Sequence, residues 1–188
     1  MQDRTEDQPD TPNGHEGRTE LLGIYLNDHL AGATAGVERV RYLADAEQDA
    51  ALAAVVGRLA EEIAEDRASL LEIMRRLDVP VRRYKVVAGT LAEKAGRLKT
   101  NGRLVRRSPL TPLVELEVLR TGVSGKAACW ETLRHLTDHE ERLDAGRLDA
   151  LLERAHDQLR RLEELHRYQI TKTFGPTAGP RLREESAR

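Results

Sequence analysis

The chain has 188 residues, of which 33% are charged and only 3% aromatic, and its formal charge is −2. Cys129 is the only cysteine, which excludes an intrachain disulfide and a multi-cysteine zinc site. No apolar run approaches about 18 residues, as a membrane span requires, and no basic stretch leads into an apolar run as in a signal peptide, so a cytoplasmic location is expected.

Residues 1–18 hold Pro9, Pro12, Asn13 and Gly14 among charges, and residues 175–188 are a Gly/Pro run followed by charges. Both tails bury too little apolar surface to offset ordering and are expected to be disordered. The folded domain is expected over 19–174. Its wealth of Ala, Leu, Glu and Arg favours helix, and the fold class is all-α.

A first helix is predicted from about Thr19 to Ala44, with Leu22, Leu26, Ala33, Gly36, Val40 and Leu43 at three-four spacing and His29 completing the series. After a charged turn at 45–49, a second runs from Ala50 to Leu77 on Leu52, Val56, Leu59, Ile63, Leu70, Ile73 and Leu77. Asp66 fills the gap in that stripe, and Pro80 marks the stop. The connection 78–110 carries a short amphipathic helix, about 83–99, with Tyr84, Val87, Leu91, Ala95 and Leu98 on one face, and Asn101-Gly102 reads as a turn.

A third long helix opens at Ser108-Pro109 or Thr111-Pro112, each pairing a capping oxygen with a first-turn proline. It continues to Leu136 on Leu116, Leu119, Val123, Ala127, Trp130 and Leu133, with Gly122, Gly125 and Cys129 widening the stripe. After a loop over 137–144, the fourth spans Ala145–Thr173 on Leu148, Leu152, Ala155, Leu159, Leu162 and Ile170, with His166 among them.

Four such helices, two tight connections and one long one predict a four-helix bundle. The 2–3 connection is long enough to cross the bundle lengthwise, since about 16 helical residues reach ~24 Å. That crossover would make helices 2 and 3 parallel. A short path along one end, giving up-down-up-down order, fits the sequence as well.

His29, Asp66, Glu115, Lys126 and His166 are ionisable residues inside apolar arcs. A buried charge is costly unless paired or ligating, so these five are expected to form a buried polar network. Counting from the turns places His29 level with Asp66, and Glu115 level with His166. With the crossover, Lys126 comes level with Asp66. The plainer readings are satisfied core histidines, a salt-bridged Asp66, and a Glu115 that favours a helix N-terminus.

The architecture resembles the ferritin-like superfamily over most of residues 19–174. Stretches at 25–32 (YLNDHLAG) and 122–126 (GVSGK) are also similar to those of actinobacterial proteins, a likeness that brings no function with it. The ferritin-like resemblance implies a dinuclear iron or manganese site made from carboxylates and Glu-x-x-His pairs, for which His29, Glu62, Asp66, Glu115, Glu163 and His166 are the candidates. Glu163 and His166 match that spacing. Glu153 and His156 match it too but fall on the charged outer face, and helix 2 has Glu65, Ala68 and Ser69 where a histidine is needed.

Residues 82–107 contain nine basic side chains and one acid, Glu93. Arg82, Arg83, Lys85, Lys94, Arg97, Lys99, Arg103, Arg106 and Arg107 would suit an acidic protein, nucleic acid or an anionic surface. The same segment also reads as a solvated crossover helix. An exposed helix face would equally serve a homodimer. With no phosphate-binding glycine loop, nucleophile elbow or Ser/His/Asp pattern, no catalytic residue is assigned, and the expected protein is a non-catalytic helical bundle acting through its surface. The alternative is a ferritin-like metal-binding protein or oxidoreductase.

Overall fold

The computed structural model describes residues 14–47, 49–82 and 110–176, and among these it contains four helices and no strand. They are α1 (Gly14–Ala46), α2 (Ala50–Arg76), α3 (Thr111–Leu136) and α4 (Ala145–Phe174). None is long and apolar enough to cross a membrane. The expected short helix at 83–99 lies outside the described residues.

Most boundaries follow local chemistry. Asp49 caps α2, its carboxylate accepting from the Leu52 amide at 3.1 Å, and Asp144 caps α4 through the Arg147 amide at 2.9 Å. Each satisfies an N–H that the helix itself leaves unpaired. Pro112 occupies the first turn of α3, where a missing amide costs nothing. At the end of α2 the Val79 amide reaches back to the Met74 carbonyl at 2.9 Å, with Asp78 in the left-handed region at φ 56°. This is a C-terminal cap in which aspartate stands where glycine is usual. Gly175 closes α4 at a spot where a Cβ would lie 2.3 Å from the Thr171 carbonyl oxygen, so a side chain there forces the cap open. The one clear shift is at the start: α1 begins at Gly14, not Thr19, and no proline follows Pro12 to break it.

Side-chain contacts give the topology. Tyr25 meets Thr132, and Arg39 meets Glu115, so α1 and α3 are antiparallel. Arg67 meets Thr34, which makes α1 and α2 antiparallel. Arg154 meets Asp66 and Arg161 meets Glu62, so α2 and α4 are antiparallel. The order is therefore up-down-down-up, with α2 and α3 parallel, and the chain leaves α2 at one end of the bundle and enters α3 at the other. The two ends of the 2–3 connection thus lie at opposite ends of the bundle, as the crossover expects and the short path along one end does not. Asn27 fixes its first step. Its amide donates to the Gly23 and Pro80 carbonyls, and its carbonyl oxygen accepts from the Arg82 amide at 2.7 Å.

The interior has two apolar clusters. One, at the end with the α3–α4 turn, gathers Leu26, Leu30, Leu70, Met74, Trp130, Leu133 and Leu148. The other, toward the α1–α2 turn, gathers Val40, Leu59, Ile63, Leu116, Leu119, Val123 and Leu162. Between them, at the level of Asp66, lies a polar layer.

Candidate functional site

The polar layer begins with Asp66, whose side chain is 1% exposed in the middle of α2's apolar stripe. Lys126 of α3 donates to its Oδ2 and also to Gln158 Oε1. Arg154 of α4 donates to Asp66 Oδ1 and, at 3.1 Å, to Glu65. Gln158, fully buried, turns its amide NH2 to Asp66 Oδ2 and Glu62 Oε2, both at 3.1 Å. Arg161 closes the cluster by gripping both Glu62 oxygens. The charges thus alternate across the α2–α4 gap, and long arginine side chains span it where the backbones stay apart. Hydrogen bonding from Arg161 holds the Glu62 carboxyl below the usual carboxylate range, with burial opposing. Burial pushes the Lys126 ammonium below its ordinary value, and the charge of Asp66 partly restores it.

Beside this layer, between α1 and α3, is a cavity of about 440 Å³. Its walls owe their spacing to small residues: Gly32, Ala33, Ala35 and Gly36 on α1, and Gly122 and Gly125 on α3. Gly36 and Gly125 are half-buried, and a Cβ built on either meets nothing within 4 Å, so they leave open space there and are not forced by close helix contact, whereas Gly32 and Gly122 are exposed at the rim. Ile63, Leu70, Leu119, Val123 and Trp130 add apolar surface, and Asp66 and Lys126 also line the cavity. Val118, 42% exposed, continues the apolar wall outward on α3 through Val114 and Leu110.

Polar groups at the cavity differ in how well they are satisfied. Tyr25 donates to Thr132 at 3.1 Å and packs edge-on to His29, with ring centres 4.5 Å apart. Burial lowers the His29 imidazole's affinity for a proton, with nearby Asp28 opposing. Burial pushes the Cys129 thiol up to about 12, which leaves it protonated and a poor nucleophile. Arg67 donates from Nε to Thr34 at 2.9 Å and has no carboxylate partner among the described residues. The Trp130 indole N–H, in a side chain 1% exposed, likewise finds no acceptor.

The five residues expected to form one network are thus separated. Asp66 and Lys126 meet, as the crossover register requires. His29 lines the cavity, half-buried, while its neighbour Leu30 takes the core position. Glu115 is buried but pairs with Arg39 at 2.7 Å. His166 sits near that level, as the count from the turn anticipates, yet its partner is the exposed Glu117, at 3.2 Å. The members absent from the sequence reading are Arg154, Gln158 and Arg161.

The six residues considered as metal ligands are also divided among partners. Glu62 is held by Arg161, Asp66 by Lys126 and Arg154, Glu115 by Arg39, and Glu163 by Arg167 in the next turn. Among the described residues no group of three or more His, Cys, Asp or Glu side chains converges as a metal site would need. Of the nine basic residues over 82–107, Arg82 is described, beside Asn27, and the other eight lie outside the described residues. No family model, curated protein or solved structure matches the chain, so the functional reading is carried by the cavity and the polar layer themselves.

Proposed function

We propose that this chain is a non-catalytic binding protein that takes a small, largely apolar molecule between α1 and α3. The carrying observation is the 440 Å³ space walled in part by the half-buried Gly36 and Gly125, whose absent side chains would meet nothing. Its size lies in the range of small-molecule sites, about 300–1,000 Å³. Glycine inside a helix costs about 0.5–1 kcal/mol relative to alanine, so a cluster of them around open space is a stability cost with no packing return. The ionisable groups of the polar layer beside it are mutually neutralised and its thiol is protonated, which suits a rigid floor better than a reacting group.

The test is Gly36→Leu, read with a neutral naphthylamine dye whose emission rises in apolar sites and with the emission of Trp130, the only tryptophan. The variant should be as stable as the parent or more so, since a helical glycine is removed, yet bind the dye at least about tenfold more weakly, as expected when bulk enters a pocket. Equal dye binding by the two proteins would refute the site.

A second reading has a specific support. The up-down-down-up order, with parallel α2 and α3, is that of ferritin-like bundles with one long crossover. This supports kinship in chain order. The dinuclear metal centre of that superfamily would need a rearrangement of the ion pairs around Glu62, Asp66 and Glu163. Protein expressed with supplemental iron and manganese and purified without chelator should carry far less than the two metals per chain of a filled dinuclear site. Stoichiometric metal would favour this reading over the first.

A further inference from the structure

The chemical class of the ligand can be taken one step further, on the premise that the α1–α3 cavity binds a small molecule. Three cationic side chains line it: Arg39, Arg67 and Lys126. Arg39 is neutralised by Glu115 and Lys126 by Asp66. Asp28 is the other acid along the wall, exposed at the rim. Arg67 differs from the other two. It is tied through Nε to Thr34, which fixes the guanidinium plane, and its two terminal nitrogens have no carboxylate among the described residues. A guanidinium held by one nitrogen with the other two unengaged is the fork that receives a planar carboxylate in two parallel hydrogen bonds.

We infer that the cavity's ligand is an amphipathic carboxylic acid, its carboxylate held by Arg67 and its hydrocarbon body lying against Ile63, Leu70, Leu119 and Val123. A cationic or neutral amphiphile of the same length leaves the guanidinium unpaired and binds less well. Thr34 is a positioning residue. It touches the guanidinium and not the ligand.

The experiment displaces the bound naphthylamine dye with octanoate, 1-octanol and octylamine, on the full chain, and follows Trp130 emission in parallel. Octanoate should displace it at the lowest concentration. Arg67→Gln should weaken octanoate about tenfold or more, the size expected for losing a charge-assisted bidentate contact, and leave octanol unchanged. Thr34→Val should give a smaller loss in the same direction. Circular dichroism and the thermal midpoint establish that both variants fold, and Arg67→Lys, which keeps the charge but not the fork, should recover only part of the affinity. Equal displacement by all three amphiphiles, or an octanoate affinity unmoved in Arg67→Gln, overturns the carboxylate while leaving the cavity as a binding site. A dye that binds the Gly36→Leu variant as well as the parent overturns the cavity itself.

Discussion

Asp66→Ala should lower the unfolding free energy by about 3–5 kcal/mol, the cost of breaking a buried ion pair from one side. Asp66 accepts from Lys126, Arg154 and Gln158 at once. Removing it leaves two cations facing each other, one of them an ammonium only 12% exposed, and strands the Gln158 amide's second hydrogen bond. A loss of that size is a large part of a domain's whole stability, typically about 5–15 kcal/mol, so part of the variant should be unfolded at ambient temperature. Urea unfolding followed by circular dichroism measures it. Lys126→Met in the Asp66→Ala background should recover part of the loss, because residues in direct contact couple by about 0.5–3 kcal/mol. A single variant within 1 kcal/mol of the parent would mean that water reaches the layer and that Asp66 is solvated.

The success and failure of the sequence reading both trace to this layer. Along α2 the apolar stripe is right at every position: Leu52, Val56, Leu59, Ile63, Leu70, Ile73 and Leu77 are all buried, with Asp66 among them. Nothing competed there, since no second apolar face runs along α2. The α3 stripe is right as well, since Leu116, Leu119, Val123, Ala127, Trp130 and Leu133 are all buried, although Val114 and Val118 leave a second, exposed apolar strip. On α4 two faces compete. Of the expected stripe Leu148, Ala155 and Leu162 are buried but Leu152, Leu159, His166 and Ile170 are not, and from Leu151 on the buried series is Leu151, Ala155, Gln158, Leu162, Leu165 and Gln169, with Ile170 39% exposed. An apolar count penalises Gln158 and Gln169, so it rotates the helix by one residue and draws His166 inward. What decides the rotation is a partner on other helices: Gln158 bonds to Lys126, Asp66 and Glu62. Such a term is absent from any single-helix pattern. The steady 4-3-4-3-4 spacing of the buried series was the available signal. The cavity was less legible still, because Gly122 and Gly125 read as close-approach positions, and only the assembled helices show that their faces stay apart.

Replacing the layer as a whole should have the opposite sign to Asp66→Ala. The four-fold variant Asp66→Leu, Lys126→Met, Arg154→Met, Gln158→Leu removes the buried charges together with their partners. It leaves Glu62 paired with Arg161 and joins the two apolar clusters. Desolvating an ion cluster often costs more than its mutual attraction returns, and apolar substitutes of similar size are neutral or stabilising by about 1–4 kcal/mol, so the urea midpoint should hold or rise. The loss should appear in uniqueness. α4 carries a second apolar face in Leu152, Leu159 and Ile170, and with Gln158 gone little distinguishes it from the native one. The amide spectrum of α4 should broaden or double, and ion-pair partners such as Arg134–Asp149 at one end of the interface should exchange with alternatives. A stable variant with one sharp set of α4 resonances would show that packing alone sets the rotation. A variant as unstable as Asp66→Ala would show that the ions stabilise the bundle in their own right. The layer's position, midway along the bundle between two mainly apolar clusters, is where a set of directional bonds has most control over both rotation and axial register. That same fixed geometry holds Asp66 and Lys126 at the cavity next to them.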